Sequence, residues 1–218
     1  MANQQINQYP IERTNLGDDD FFDIDYFDGT NYQTAKIRGS VIKTSAGIGL
    51  YAQISDSNEI RNTTTETSLF DGASGVGSLM VPANGFQVGD SFHVKMGGTI
   101  GAGGSGDANI RIKTGSVILA DSGTLALPSM TNRIFEIEMD FTIRQIGAPG
   151  VAEIITHGEI NYVQNAGGGS WEGENFISVN NTTFDTTTNN MLDICFQWAT
   201  ASASNTIRSQ YANLRKTF

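Results

Sequence analysis

Phe135-Glu136-Ile137-Glu138-Met139-Asp140-Phe141-Thr142-Ile143-Arg144 is the stretch that decides the fold. Apolar and polar residues alternate through it without exception, and a period of two sends successive side chains to opposite faces of an extended chain. A helix would need apolar repeats at three and four residues, so the segment predicts a strand with one buried face. The same alternation recurs on both sides. Upstream, Phe92, Val94 and Met96 alternate with His93 and Lys95, Ile110 and Ile112 alternate with Arg111 and Lys113, and Val117 to Leu119 follow a Gly115-Ser116 turn. Downstream, Ile154 to Val163 predicts a strand region split near Gly158. Leu192, Ile194, Phe196 and Trp198 then alternate with Asp193, Cys195 and Gln197, and Thr206 to Leu214 closes the series. With Thr63 to Phe70 and Gly77 to Val81 added, about eight short strands separated by turn residues predict an all-β antiparallel sandwich over residues 61–218.

The N-terminal part reads differently. Residues 1 to about 17 are polar and aperiodic and contain Pro10, which predicts an arm that orders against a partner. Asp18-Asp19-Asp20-Phe21-Phe22-Asp23-Ile24-Asp25-Tyr26-Phe27-Asp28-Gly29 follows, and Asp28-Gly29 is a type I′ turn signal leading into Tyr32 to Ile37. A small acidic β-hairpin is expected. Ser45-Ala46-Gly47-Ile48-Gly49 predicts a break, so residues 1–60 are read as an N-terminal attachment segment and 61–218 as the main domain.

Composition narrows the chemistry. A length of 218 residues suits one sandwich-sized domain with a short appendage. Thirteen basic against twenty-three acidic residues give a net charge of −10, which repels phosphate backbones, so no nucleic-acid partner is expected. The lone Cys195 excludes an internal disulfide, and no Cys/His cluster spells a zinc site. The opening MANQQINQYPIER lacks the basic and apolar regions of a secretion signal, and no run nears the roughly 18 apolar residues a membrane helix needs. No cofactor, metal or membrane insertion is expected.

Each motif with a chemical reading also has a plainer one. Gly101-Ala102-Gly103-Gly104-Ser105-Gly106 matches a dinucleotide fingerprint in letters, but the strand pattern that follows offers no helix N-terminus for a pyrophosphate. The Asp18 to Asp28 cluster has the donors for calcium, yet its spacing departs from an EF-hand loop, leaving a solvated acidic hairpin as the plain account. Glu136, Glu138 and Asp140 fall about 7 Å apart on one face, a spacing glycosidases use, although it is also that of the polar side of any amphipathic strand. His93 falls on a polar strand face and His157 in an expected bend, and Cys195 reads as a buried, inert thiol. Trp171, with Glu172 and Glu174, follows Gly167-Gly168-Gly169-Ser170 and is a candidate ligand loop, because an indole on a glycine-flanked loop can stack on a sugar ring.

Several segments taken in order resemble a known module. Asn62-Thr63-Thr64-Thr65-Glu66-Thr67-Ser68-Leu69-Phe70, Gly77 to Asn84, Val88 to Lys95, Gly97-Gly98-Thr99-Ile100, Trp198-Ala199-Thr200-Ala201 and Ser204-Asn205-Thr206-Ile207 resemble a jelly-roll module of virion proteins from tailed phages and some large viruses. Asp20-Phe21-Phe22-Asp23-Ile24-Asp25, with Tyr32 and Lys36-Ile37-Arg38-Gly39, is similar to the attachment segment that begins many phage fibre and head-appendage proteins. The resemblance implies an antiparallel jelly roll of the tumour-necrosis-factor or C1q type, assembled as a homotrimer. It implies a noncatalytic fibre or head-decoration knob, located on the virion after assembly in the host cytoplasm. Asp20, Phe21, Phe22, Asp23, Ile24, Asp25 and Tyr32 would attach it to other virion proteins. Phe176, Phe184, Trp198, Tyr211 and Phe218 are the aromatic positions expected at the threefold contact. No coiled-coil or collagen-like shaft separates the two parts, which favours a short knob over a long fibre. Two alternatives stand beside this: a receptor-binding tail-fibre knob contacting host surface glycan through the Gly167 to Glu174 or Gly101 to Asp107 loop, and a polysaccharide depolymerase using Glu136 to Asp140.

Overall fold

A computed structural model describes residues 21–27, 31–38, 49–104, 106–164 and 171–218. The chain divides into two compact units, Met1–Ile48 and Gly49–Phe218. In the first, β1 (Phe21–Phe27) pairs antiparallel with β2 (Tyr32–Arg38), which is the expected acidic hairpin. Its register sets Asp23 and Asp25 against Lys36 and Thr34, and Phe22 and Ile24 against Ile37 and Ala35. The last pair is Phe27 with Tyr32, two positions beyond what an Asp28-Gly29 two-residue turn requires. Asp28, Gly29 and Thr30 lie outside the described residues, as does Asp20.

The second unit is built from β3 (Gly49–Gln53), β4 (Ile60–Arg61), β5 (Thr67–Ser68), β6 (Gly75–Gly77), β7 (Met80–Val81), β8 (Ser91–Ala102), β9 (Ala108–Thr114) and β10 (Val117–Asp121), followed by β11 (Met130–Gln145), β12 (Glu153–Val163), β13 (Trp171–Asn180), β14 (Asn190–Trp198) and β15 (Thr206–Lys216). No helix occurs among the described residues. The larger sheet runs β13-β12-β11-β8-β15-β3-β6, the smaller β10-β9-β14-β5, and every pairing is antiparallel. The two sheets face each other as an antiparallel sandwich of the jelly-roll kind.

Residues 49–60, read from the sequence as part of the N-terminal segment, belong to this sandwich. β3 pairs with β15, and Ser209, fully buried on β15, finds its hydrogen-bond partners in that stretch and in Leu69. Its hydroxyl donates to the Leu69 carbonyl at 2.6 Å and lies 3.1 Å from Gln53 Oε1, and its N–H donates to Ser57 Oγ at 2.9 Å. A buried serine without these partners would be costly, so the polar knot ties the start of the unit to its last strand.

The core follows the period-two pattern. Phe135, Ile137, Met139, Phe141 and Ile143 of β11 point inward, flanked by Val94 and Met96 of β8 and Ile154 and Ile160 of β12. Ile110 and Ile112 of β9 with Ile194, Phe196 and Trp198 of β14 close the core from the other sheet. Each such side chain contributes about 1.5–3 kcal/mol of burial. Phe196 and Trp198 meet edge to face with centroids 4.8 Å apart.

Two glycines hold aromatic rings rather than turns. β12 is unbroken at Gly158, where the sequence predicts a split, because the Phe176 ring of β13 occupies the space a side chain would take. On the opposite face of the sheet the Tyr211 ring of β15 covers Gly97 of β8 in the same manner. Tyr211 reaches that face because a bulge pairs Ser209 with Gly98 and Tyr211 with Gly97, leaving Gln210 as the extra residue.

Candidate functional site

The outward face of the larger sheet carries the chain's candidate chemistry. Because β15, β8, β11 and β12 are neighbours in register, their outward residues form rows across the sheet. One row holds Tyr211, Gly97, Glu136 and Asn161, the next Asn213, Lys95, Glu138 and Glu159, and the third Arg215, His93, Asp140 and His157.

Lys95 organises the centre. Its Nζ lies 2.7 Å from Glu138 Oε1 and 3.3 Å from Glu136 Oε2, and Tyr211 donates its hydroxyl to Glu136 Oε1 at 2.9 Å. The Glu138 contact first, and Glu136 after it, hold the Lys95 ammonium well above its ordinary pKa against the opposing effect of burial. Burial, then the bond to Glu136, pushes the Tyr211 phenol up as well. Neither group is poised to accept a proton at neutral pH. His93 Nδ1 lies 3.0 Å from Asp140 Oδ1, and Asn161 donates to Glu159 Oε1 at 3.2 Å.

Glycosidase carboxylates flank the scissile bond, one protonating and the other attacking or activating water. Glu136 and Glu138 instead rise side by side from one strand and share one lysine. The arrangement makes a rigid, patterned surface of donors and acceptors. Among the described residues no group of three or more His, Cys, Asp or Glu is placed to hold a metal ion.

The other sequence candidates are dispersed. Phe21, Phe22, Asp23, Ile24 and Asp25 lie on β1 and Tyr32 opens β2. Trp171, Glu172 and Glu174 begin β13 and are not a loop; Gly167, Gly168, Gly169 and Ser170 lie outside the described residues. Strand alternation separates the three: Trp171, half exposed, shares the outward face with Val163 and Asn161, whereas Glu172 and Glu174 occupy the opposite face. There, after the larger effect of burial, they help raise the Tyr162 phenol. Trp171 therefore does not converge with either glutamate on one ligand.

Of the aromatic positions expected at a subunit contact, Phe184 and Trp198 are core residues at 1% and 0% exposure, and Phe176 is half buried over Gly158. These three are spent inside the protomer, since interface and core residues carry the same alternating signature. Tyr211 and Phe218 remain at the surface, at 38% and 83% exposure. His157 lies in continuous strand, opposite Asp140, and not in a bend. Of the candidate loop from Gly101 to Asp107, Gly101 and Ala102 are the last residues of β8, Ser105 lies outside the described residues, and β9 of the other sheet begins at Ala108. Cys195 is buried on the outward side of β14, its thiol donating to Asp193 Oδ2 at 3.3 Å, and burial foremost pushes its pKa up to about 12.

Sequence reasoning did not reach a second charged cluster on the smaller sheet. Arg111 binds Glu66 Oε2 at 2.6 Å, Asp121 Oδ2 at 2.8 Å and Gln197 Oε1 at 2.8 Å, while Lys113 binds Glu66 Oε1 at 2.6 Å. Alternation placed Arg111 and Lys113 on a polar face, but nothing local in the sequence names partners so far along the chain. No helix among the described residues is long and apolar enough to cross a membrane.

No protein-family model matches the chain, and no curated protein matches it. Among solved structures it is similar to the marine PL-14 alginate lyase from Aplysia kurodai, at 10% sequence identity and a TM-score of 0.33, over 77% of this chain and 80% of that one.

Proposed function

We propose that the chain is a noncatalytic structural protein of a virus particle, a short fibre or decoration knob. In this reading the hairpin unit attaches to other virion proteins and the sandwich projects outward as a homotrimer, assembled in the host cytoplasm. The observation that carries the noncatalytic part is the Lys95 cluster. The carboxylates of Glu136 and Glu138 are bonded to Lys95 and Tyr211, which supports a structural use for them over the acid–base use the depolymerase alternative needs. The virion part rests on the sequence resemblance, and the division into a small hairpin unit and a sandwich suits it. The test is deletion of residues 1–44. The truncated chain is expected to remain a folded oligomer of about three times the chain mass by light scattering and to lose incorporation into particles. Full incorporation of the truncated chain, or a monomer by light scattering, refutes the assignment.

A second reading has its own observation. Trp171 at the sheet edge and the Tyr211 ring lying on Gly97 present two exposed aromatics on the same face, the kind of platform a glycan-binding knob uses. A glycan array with the intact protein, Trp171→Ala and Tyr211→Ala decides it: signals lost in both variants support a receptor-binding role, and no signal at all removes it.

A further inference from the structure

Where β9, β11 and β15 end and β8, β12 and β14 begin, the two sheets leave between them a cleft of about 50 Å3, open on one side. It lies between the sheets, apart from the polar face described above, and the proposal below goes beyond the assignment as a virion protein. Four phenyl rings supply much of the wall. Phe86 meets Phe92 edge to face and Phe184 at a tilt, each with centroids 5.9 Å apart, and Phe141 joins them from β11.

No charged residue lines the cleft, and its two polar residues are already satisfied. Thr114 donates to Asn190 Oδ1 at 3.2 Å, and Asn190 Nδ2 donates to the carbonyls of Asp185 at 2.8 Å and Thr188 at 2.9 Å. Water in such a space finds too few partners to be held, since a buried water needs two to four. A charged ligand would lose its hydration with nothing to replace it. The lining therefore selects hydrocarbon.

Access follows from the strap at the mouth. Leu79, Val81 and Leu192 are the half-buried members of the lining; Leu79 precedes and Val81 ends β7, a two-residue strand bonded to the start of β14. The strap is held by Leu192 N–H to the Leu79 carbonyl at 2.9 Å, Ala83 N–H to Asn189 Oδ1 at 2.9 Å and Asn84 N–H to the Thr186 carbonyl at 2.8 Å. With the two-residue β7–β14 ladder, these bonds lie at the edge of a sheet, where local opening begins.

We propose that this cleft is a binding site for a compact, uncharged apolar group, such as an aromatic ring or the end of an acyl chain, entering past the Leu79 to Gly85 strap. The test uses the full chain with 13C-labelled methyl groups and benzene or n-octanol as probes. Saturable shifts are expected in the methyls of Val81, Leu119, Leu192 and Leu214, with those of Leu69, which is no part of the lining, unmoved. A saturating probe is expected to raise the thermal midpoint by about 3–5 °C. Leu192→Phe, which puts a ring into the mouth, is expected to abolish both effects while leaving the probe-free midpoint unchanged or higher; Val81→Phe repeats the test should Leu192→Phe not fold. Response to benzene alone identifies a ring-sized site and response to octanol an acyl-type one. Lining methyls that stay still with both probes, or that move equally in the filled variants, overturn the proposal.

Discussion

Gly158→Ala tests whether the Phe176 ring and the missing side chain at 158 are one packing device. A Cβ built at Gly158 lies 2.6 Å from both Cε2 and Cζ of Phe176, about 1 Å inside ordinary carbon–carbon contact. Phe176 is half buried on the edge strand, so its ring can turn away, but it then leaves its packing over β12. Overpacking of this kind costs about 1–3 kcal/mol. Replacing glycine returns about 0.5–1 kcal/mol through the unfolded chain. The net expectation is a loss of about 1 kcal/mol. Phe176→Ala alone, at a half-buried site, is expected to cost about 2 kcal/mol, below the 3–5 of a fully buried phenyl. Once the ring is gone the obstruction is gone, so Gly158→Ala in the Phe176→Ala background is expected to stabilise by about 0.5–1 kcal/mol. The sign reverses between backgrounds, and the coupling is about 1.5–2 kcal/mol. Equilibrium unfolding in urea reads this as midpoint shifts of about 0.5 M in opposite directions at constant slope. An effect of the same sign and size in both backgrounds would refute the ring-on-glycine account.

The remaining expectations concern groups whose surroundings are equally specific. Glu66, held below its ordinary pKa first by the Lys113 contact and also by Arg111, contributes stability that is complete above the usual glutamate range and fades as pH falls through its folded value. Glu66→Gln should therefore be about 1–2 kcal/mol less stable than the parent at pH 7, with the gap closing below about pH 4.5; a gap independent of pH would sink the ion-pair account. Cys195, with its thiol pushed up to about 12 and only 5% exposed, should resist iodoacetamide at pH 8 in the folded protein and react once urea unfolds it. Native-state labelling at the rate of a free thiol would contradict its placement. The two tryptophans should separate optically: in Trp171→Phe the remaining Trp198 emission is expected to be blue-shifted and shielded from acrylamide, whereas red, quenchable emission would mean the core is not as described.

What the sequence carried well was parity. Alternation in 135–143 identified the buried face of β11, and the same rule placed His93, Lys95, Arg111 and Lys113 on outward faces. It failed where a strand lacks a buried face. β13 is exposed on both faces from Trp171 to Asn175, so that stretch shows no alternation of hydrophobicity and reads as a loop. It failed again where buried positions are polar: Gln53, Ser57 and Ser209 join the sandwich through hydrogen bonds that hydropathy does not register, which is why the N-terminal boundary fell late.

Parity also leaves register open, and the candidate site depends on register. Sliding β8 along β11 by two residues would keep every core side chain inside, yet Lys95 would then stand opposite Glu136 or Asp140 in place of Glu138. Hydrophobic pattern cannot choose among these alignments. Size can. A two-residue slip of β15 on β8 would lay the Tyr211 ring on Lys95 or Thr99 in place of Gly97, and one of β13 on β12 would drive Phe176 into Thr156 or Ile160 in place of Gly158. In both pairs the alternative partners carry side chains where the ring must lie, so only the observed alignments seat both aromatics. Glycines that look in sequence like strand breaks thus fix the alignment of β15 on β8 and of β13 on β12, and the first of these sets the Tyr211 ring in the row next to Lys95.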